Sequence, residues 1–95
     1  MQKLIFTLLT TLFFSTVSLA SFDSAMSSYE RKDYSSASSE FKKLASENDR
    51  DAQYMLGYMY ATGKGFLQDY IEAHKWFNVA ASNGNNDAIK ARNGV

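Results

Sequence analysis

The chain has 95 residues, ten basic and ten acidic side chains, 45% apolar residues, and neither proline nor cysteine. That size allows one domain at most. A balanced charge without a long block of one sign gives no electrostatic reason to expect nucleic acid, whose binding rests on neutralising phosphates, and no polybasic patch for a membrane surface. The missing cysteines exclude disulfides and a thioether-linked lipid anchor.

Residues 1–20 read as a signal peptide. Lys3 supplies a basic start, an apolar run extends from Leu4 to Leu19, and Ser18-Leu19-Ala20 places small residues where a signal peptidase reads. The run is interrupted by Thr7, Thr10, Thr11, Ser15, Thr16 and Ser18 and is short against the roughly 20 residues of a bilayer span. Cleavage after Ala20 leaves a chain starting at Ser21, exported to the periplasm or the medium of a bacterium, with no stable membrane insertion.

The rest, residues 21–95, reads as helices. A first helix is expected over 22–32, capped by Ser21 or Asp23, with Phe22, Ala25, Met26 and Tyr29 on one face. A second follows over 34–47, capped by Asp33, with Tyr34, Ala37, Phe41, Leu44 and Ala45 buried. Its Ser35, Ser36, Ser38, Ser39, Glu40, Lys42 and Lys43 form the solvated side. Asp51 is expected to cap a third helix over 52–62, buried through Ala52, Met55, Leu56, Met59 and Tyr60. Gly57 lies inside it, where glycine costs about 0.5–1 kcal/mol relative to alanine; close approach of the fourth helix explains that. Gly63 and Gly65 end the third helix in a left-handed turn and a short loop. Asp69 caps a fourth helix over 70–83 whose stripe is Tyr70, Ala73, Phe77, Ala80 and Ala81, with Gly84 at its end. Trp76 is placed to join two helix pairs. A last helix is expected over 86–93.

The sequence also repeats itself. Shifted by 36 places, residues 33–52 lie over 69–88 with eight identities: Asp33/Asp69, Tyr34/Tyr70, Ala37/Ala73, Phe41/Phe77, Ala45/Ala81, Ser46/Ser82, Asp51/Asp87 and Ala52/Ala88. A period of that length, carried by small and aromatic residues at helical spacing, marks stacked helical repeats. The fold expected is all-α, antiparallel helix pairs stacked as a short solenoid.

Ala52-Gln53-Tyr54, Leu56-Gly57, Met59-Tyr60, Gly63, Gly65, Asp69, Ala73, Trp76, Phe77, Ala80-Ala81 and Gly84 resemble the Sel-one-like repeat, a relative of the tetratricopeptide repeat. Phe66 stands where that family most often has valine. The resemblance covers residues 51–84. Residues 21–50 are similar to a looser tetratricopeptide-type pair with a hinge about five residues shorter, and 85–95 to a partial repeat or capping helix. It implies a scaffold for protein–protein contacts and brings no catalytic residue with it.

The residues themselves offer little chemistry. His74 is the only histidine, and with Glu72 or Asp69 it falls short of the three or four ligands of a zinc site. No serine sits in a strand-to-helix turn, and carboxylates such as Asp49 and Asp51 are explained as caps. Neither a cofactor nor a metal is expected, and no enzyme activity. The candidate partner-binding residues are Tyr54 and Tyr58, four apart on the third helix and set to line a groove for a protein or peptide; packing against the preceding helix pair is the competing role. A second possibility is a structural component that stacks on itself, or on another helical protein, through its incomplete terminal repeat.

Overall fold

A computed structural model describes residues 21–94, so the expected signal peptide, residues 1–20, lies outside the described residues. Five helices follow one another: α1 (Phe22–Glu30), α2 (Tyr34–Ser46), α3 (Arg50–Thr62), α4 (Tyr70–Ser82) and α5 (Asn86–Gly94). No strand occurs among the described residues, and each helix packs on the next, α3 and α4 most extensively. This is the all-α helical repeat read from the sequence.

Three of the four connections are the same turn. Lys32, Asn48 and Gly84 take positive φ of 64°, 70° and 93°. In each case the following residue returns a backbone hydrogen bond across the helix end: Asp33 to Ser28, Asp49 to Leu44 and Asn85 to Ala80. These are Schellman endings, in which a left-handed residue lets two terminal carbonyls find donors. The same three residues then open the next helix. Asp33 accepts from the Ser36 amide at 3.3 Å, Asp49 from Ala52 at 3.1 Å, and Asn85 from Ala88 at 2.7 Å. One residue therefore closes a helix with its backbone amide and starts the next with its side chain, which makes the reversal tight.

This corrects the start of α3. It begins at Arg50 and its cap is Asp49, whose Oδ1 also accepts from the Asp51 amide at 3.0 Å. Asp51 was the expected cap; the Schellman turn delivers Asp49 to that position and leaves the Asp51 carboxylate for Asn85, whose Nδ2 donates to it at 2.9 Å. The other caps are as expected: Ser21 Oγ accepts from Ser24 at 3.1 Å, and Asp69 Oδ1 from Ile71 and Glu72 at 3.0 and 3.1 Å. Three helices end slightly early, α1 at Glu30, α2 at Ser46 and α4 at Ser82, and α5 includes Gly94 beyond its expected end.

The core has two parts. The larger joins Ala25, Ala37, Phe41, Leu44, Ala45, Ala52, Leu56 and Met59 from α1 to α3, and Trp76 of α4 packs onto it. The smaller is made of Ala80, Ala81 and Ala88, with Tyr54 and Ile89 against it. Alanine lets α4 and α5 approach closely and leaves this end with less apolar area to hold it.

Three expected assignments change. Tyr70 is 65% exposed instead of buried in the α4 stripe. It is the first residue of α4, and its hydroxyl accepts from Gln68 Nε2 at 2.9 Å. Ser38 is buried instead of solvated, its hydroxyl donating to the Ser35 carbonyl at 2.9 Å. Glu40 is half-buried, accepting from Ser24 and the buried Ser28 at 2.8 and 3.0 Å. Shifted by 36, Glu40 stands where Trp76 does, so the first pair seals with a polar cluster where the second uses an aromatic ring.

Candidate partner-binding surface

The two candidate tyrosines divide by their position around α3. Gly57 turns toward α4, buried against Phe77 and Ala73. Tyr54, three residues earlier, lies at the edge of that contact. Its ring is 5.7 Å from the Phe77 ring, tilted by 40°, and rests on the alanine cluster of α4 and α5. Burial, then the carboxylate of Asp87, then Tyr58 hold its phenol above the ordinary 10.0. Tyr54 thus packs on the helices that follow α3, where the sequence left packing on the preceding pair as the competing role.

Tyr58 is 38% exposed. Asp51 and Thr62 are exposed as well, at spacings of seven and four from it, so the three share one open stripe. Met55 and Tyr54, both half-buried, border the stripe. Beyond the C-terminal end of α3, Lys64 Nζ lies 3.4 Å from the Tyr29 hydroxyl and 5.6 and 5.8 Å from the ring centres of Tyr29 and Tyr34. The hydrogen bond to Tyr29 raises Lys64 above the lysine range, with smaller contributions from the neighbouring tyrosines, Tyr58 among them. A cation over aromatic faces is a favourable contact, and here it fastens the α3–α4 loop to the hinge of the first pair.

The remaining signature residues form the frame. Ala52, Leu56, Ala73, Phe77, Ala80 and Ala81 are buried. Tyr60 stacks on Phe66 with ring centres 4.1 Å apart, and burial raises its phenol too. The departure at Phe66 thus supplies a ring for Tyr60 to stack on. Gly63 ends α3 with φ 72°, and the Asp69 amide donates to the Tyr60 carbonyl at 2.9 Å, closing the loop. Gly65 has φ 81° and leaves no room for a side chain, since a Cβ there would lie 2.9 Å from the Tyr34 carbonyl oxygen. His74 lies exposed on α4. No group of three or more metal-ligating side chains converges among the described residues, and none of their helices is long and apolar enough to cross a membrane.

The sequence reading passed over a polar clamp at the base of the repeat. Gln53 is buried. Its Nε2 donates to the Ala45 carbonyl at 3.1 Å, and its Oε1 accepts from Asn83 Nδ2 at 2.9 Å. Asn83 also reaches Asn48 Oδ1 at 3.1 Å, while Arg50 Nη1 donates to the Asn83 carbonyl at 3.2 Å. The α2–α3 and α4–α5 turns are thereby tied together. The signal was present in the Asn and Asp residues crowding both turns, but only the stacked geometry brings them within reach.

The Sel1 repeat family model matches residues 50–85. No curated protein and no solved structure matches the chain. The matched segment is α3, its glycine loop, α4 and the turn into α5, the unit built around Gly57 and Phe77. Sel1 repeats are generally protein-interaction modules, and residues 50–85 of this chain are similar to one.

Proposed function

We propose that the chain is an exported, non-catalytic adaptor that takes a protein or peptide segment on the open stripe of α3. The observation that carries the reading is Tyr58, left 38% exposed beside the closely packed Gly57. An aromatic ring with a free edge and a hydroxyl suits recognition at low entropic cost, and Asp51 and Thr62 flank it with polar groups. The stacking alternative, self-association through the terminal helix, has less support. Shifted by 36, Arg92 and Asn93 of α5 stand where α3 presents Leu56 and Gly57 to α4, a polar replacement suited to a capping helix.

Affinity capture from a bacterial envelope extract, run in parallel with the protein and its Tyr58→Ala variant, tests the adaptor reading. A species retained by the first and lost from the second, at equal helicity, supports it. Equal retention by both overturns the assignment of Tyr58. Export rests on Lys3, the apolar run and Ala20, and intact mass decides it: a mature chain beginning at Ser21 is expected, whereas a full-length chain in the membrane fraction would make residues 1–20 an anchor.

A further inference from the structure

We propose that Asn83-Gly84, in the turn between α4 and α5, is a deamidation site that the polar clamp keeps closed while the repeat is folded. Asparagine is a thermolabile residue, most of all before glycine, which has no side chain to keep its own amide nitrogen away from the asparagine Cγ. Two asparagines of this chain precede glycine, Asn83 and Asn93. The turn itself does not demand the pair. Shifted by 36, Glu47-Asn48 occupies the same place, and Asn48 makes the same Schellman ending at φ 70°.

The step needs two groups free. The Gly84 amide nitrogen, deprotonated by solvent base, attacks the Asn83 Cγ and forms a new C–N bond. The bond from Cγ to Nδ2 breaks, and the leaving Nδ2 takes a proton from water and departs as ammonia. Water then opens the five-membered imide at either carbonyl, leaving aspartate or isoaspartate. Both groups are held in the folded chain. The Gly84 amide donates to the Ala81 carbonyl at 3.0 Å, and Asn83 Nδ2 donates to Gln53 Oε1 at 2.9 Å and to Asn48 Oδ1 at 3.1 Å. Gly84 is exposed and Asn83 half-buried, so water reaches the turn as soon as those bonds part. Asn93-Gly94, by contrast, closes α5 exposed and outside the clamp.

The product opposes closure. A carboxylate at position 83 puts an oxygen where Nδ2 donated, facing Gln53 Oε1 and Asn48 Oδ1, which are acceptors themselves. Gln53 Nε2 is committed to the Ala45 carbonyl at 3.1 Å, and Arg50, the cation at this turn, to the Asn83 carbonyl at 3.2 Å. The clamp therefore does not re-form as it was, and a transient opening of the α4–α5 turn is recorded as its lasting release. This rests on the clamp alone, and its failure would leave the Tyr58 reading untouched.

The test is peptide mapping of protein purified after expression of the full chain, during prolonged warm incubation, with fragment-ion mass spectra locating each converted asparagine. In native buffer Asn93 should convert first. Asn83 should lag behind its own rate in urea by about tenfold or more, the suppression expected when reaction waits for a local opening. Gln53→Leu should speed Asn83 and leave Asn93 unchanged. Asn48→Gly, which keeps the left-handed turn and removes the Asn48 acceptor, should do the same at full helicity. Asn83→Asp, the product itself, should melt below the unaltered chain. Equal Asn83 rates in native buffer and in urea overturn the gating, as does a rate indifferent to both variants. An Asn83 that stays intact in urea while Asn93 converts overturns the site, and an Asn83→Asp chain as stable as its parent overturns the lasting release.

Discussion

Phe77 lies so close to Gly57 that a Cβ added at position 57 would stand 2.7 Å from its Cδ1 and 3.1 Å from the Ala73 carbonyl oxygen. Phe77 is 6% exposed and its ring is confined on the other side by Tyr54, so it has little freedom to withdraw. Helix propensity favours replacing this glycine, by about 0.5–1 kcal/mol for alanine. Packing opposes it. Gly57→Leu should destabilise the chain by about 1–3 kcal/mol through overpacking, read as a lower melting temperature. A gain in stability would mean that α3 and α4 are not held at this distance.

The clamp at the base of the repeat makes a second prediction. Gln53→Leu keeps apolar bulk but removes both a donor to the Ala45 carbonyl and an acceptor for Asn83. Each group it abandons keeps one other partner, the Ala45 carbonyl the Asn48 amide at 3.1 Å and Asn83 Nδ2 the Asn48 Oδ1 at 3.1 Å. The expected loss is about 1–3 kcal/mol, two hydrogen bonds at about 0.5–1.5 kcal/mol each. Asn83→Ala in the Gln53→Leu background should then cost much less than in the unaltered chain. Additive losses would show that the two amides do not act as a unit.

Local signals were readable to the residue and shared ones were not. Ser21, Asp33 and Asp69 cap the helices expected of them because a cap needs only the three residues that follow it. Asp49 and Asp51 are both competent by that criterion, and the preceding Schellman turn, with Asn48 at φ 70°, decides between them. Periodicity placed Ala73, Phe77 and Ala80 correctly and misplaced Tyr70, since an angle around a helix does not say where along the helix a neighbour lies. Ser28, Ser38 and Gln53 are buried through partners that local spacing does not identify. The same limit applies to the site: Tyr54 and Tyr58 are neighbours on α3, yet only the position of Phe77 and Ala88 separates their environments.

Alkaline pH should expose the difference. Burial raises the phenols of Tyr54 and Tyr60 above their ordinary 10.0. Below pH 10 the phenol is protonated in both the folded and the unfolded chain, and no stability is lost. Above it the unfolded chain ionises first and releases protons that the folded chain retains, so stability falls as pH rises through that range. Melting curves between pH 9 and pH 11.5 should therefore slope downward, less steeply in Tyr54→Phe and least in the double variant with Tyr60→Phe. An unaltered slope in the double variant would place the titrating groups elsewhere.

Truncating the two candidate tyrosines should separate packing from recognition. Tyr54→Ala removes the ring that covers Phe77 and the Ala80, Ala81 and Ala88 cluster, where alanine side chains leave nothing to fill the gap. Large-to-small changes at well-packed aromatics cost about 3–5 kcal/mol, and the half-buried Tyr54 should fall below that, at about 1–3 kcal/mol. The last helix should loosen first, because α5 is held by that cluster and by the Asn85–Asp51 hydrogen bond. Hydrogen exchange at the Ala88 and Ile89 amides should accelerate before that at Leu56. Tyr58→Ala removes a ring that is already substantially solvated, so stability should change by about 0.5 kcal/mol or less while partner capture falls. The opposite ordering, with Tyr58→Ala the more destabilising and Tyr54→Ala the more damaging to capture at full helicity, would exchange the roles of the two residues and move the recognition surface from the open stripe of α3 to its border with α5.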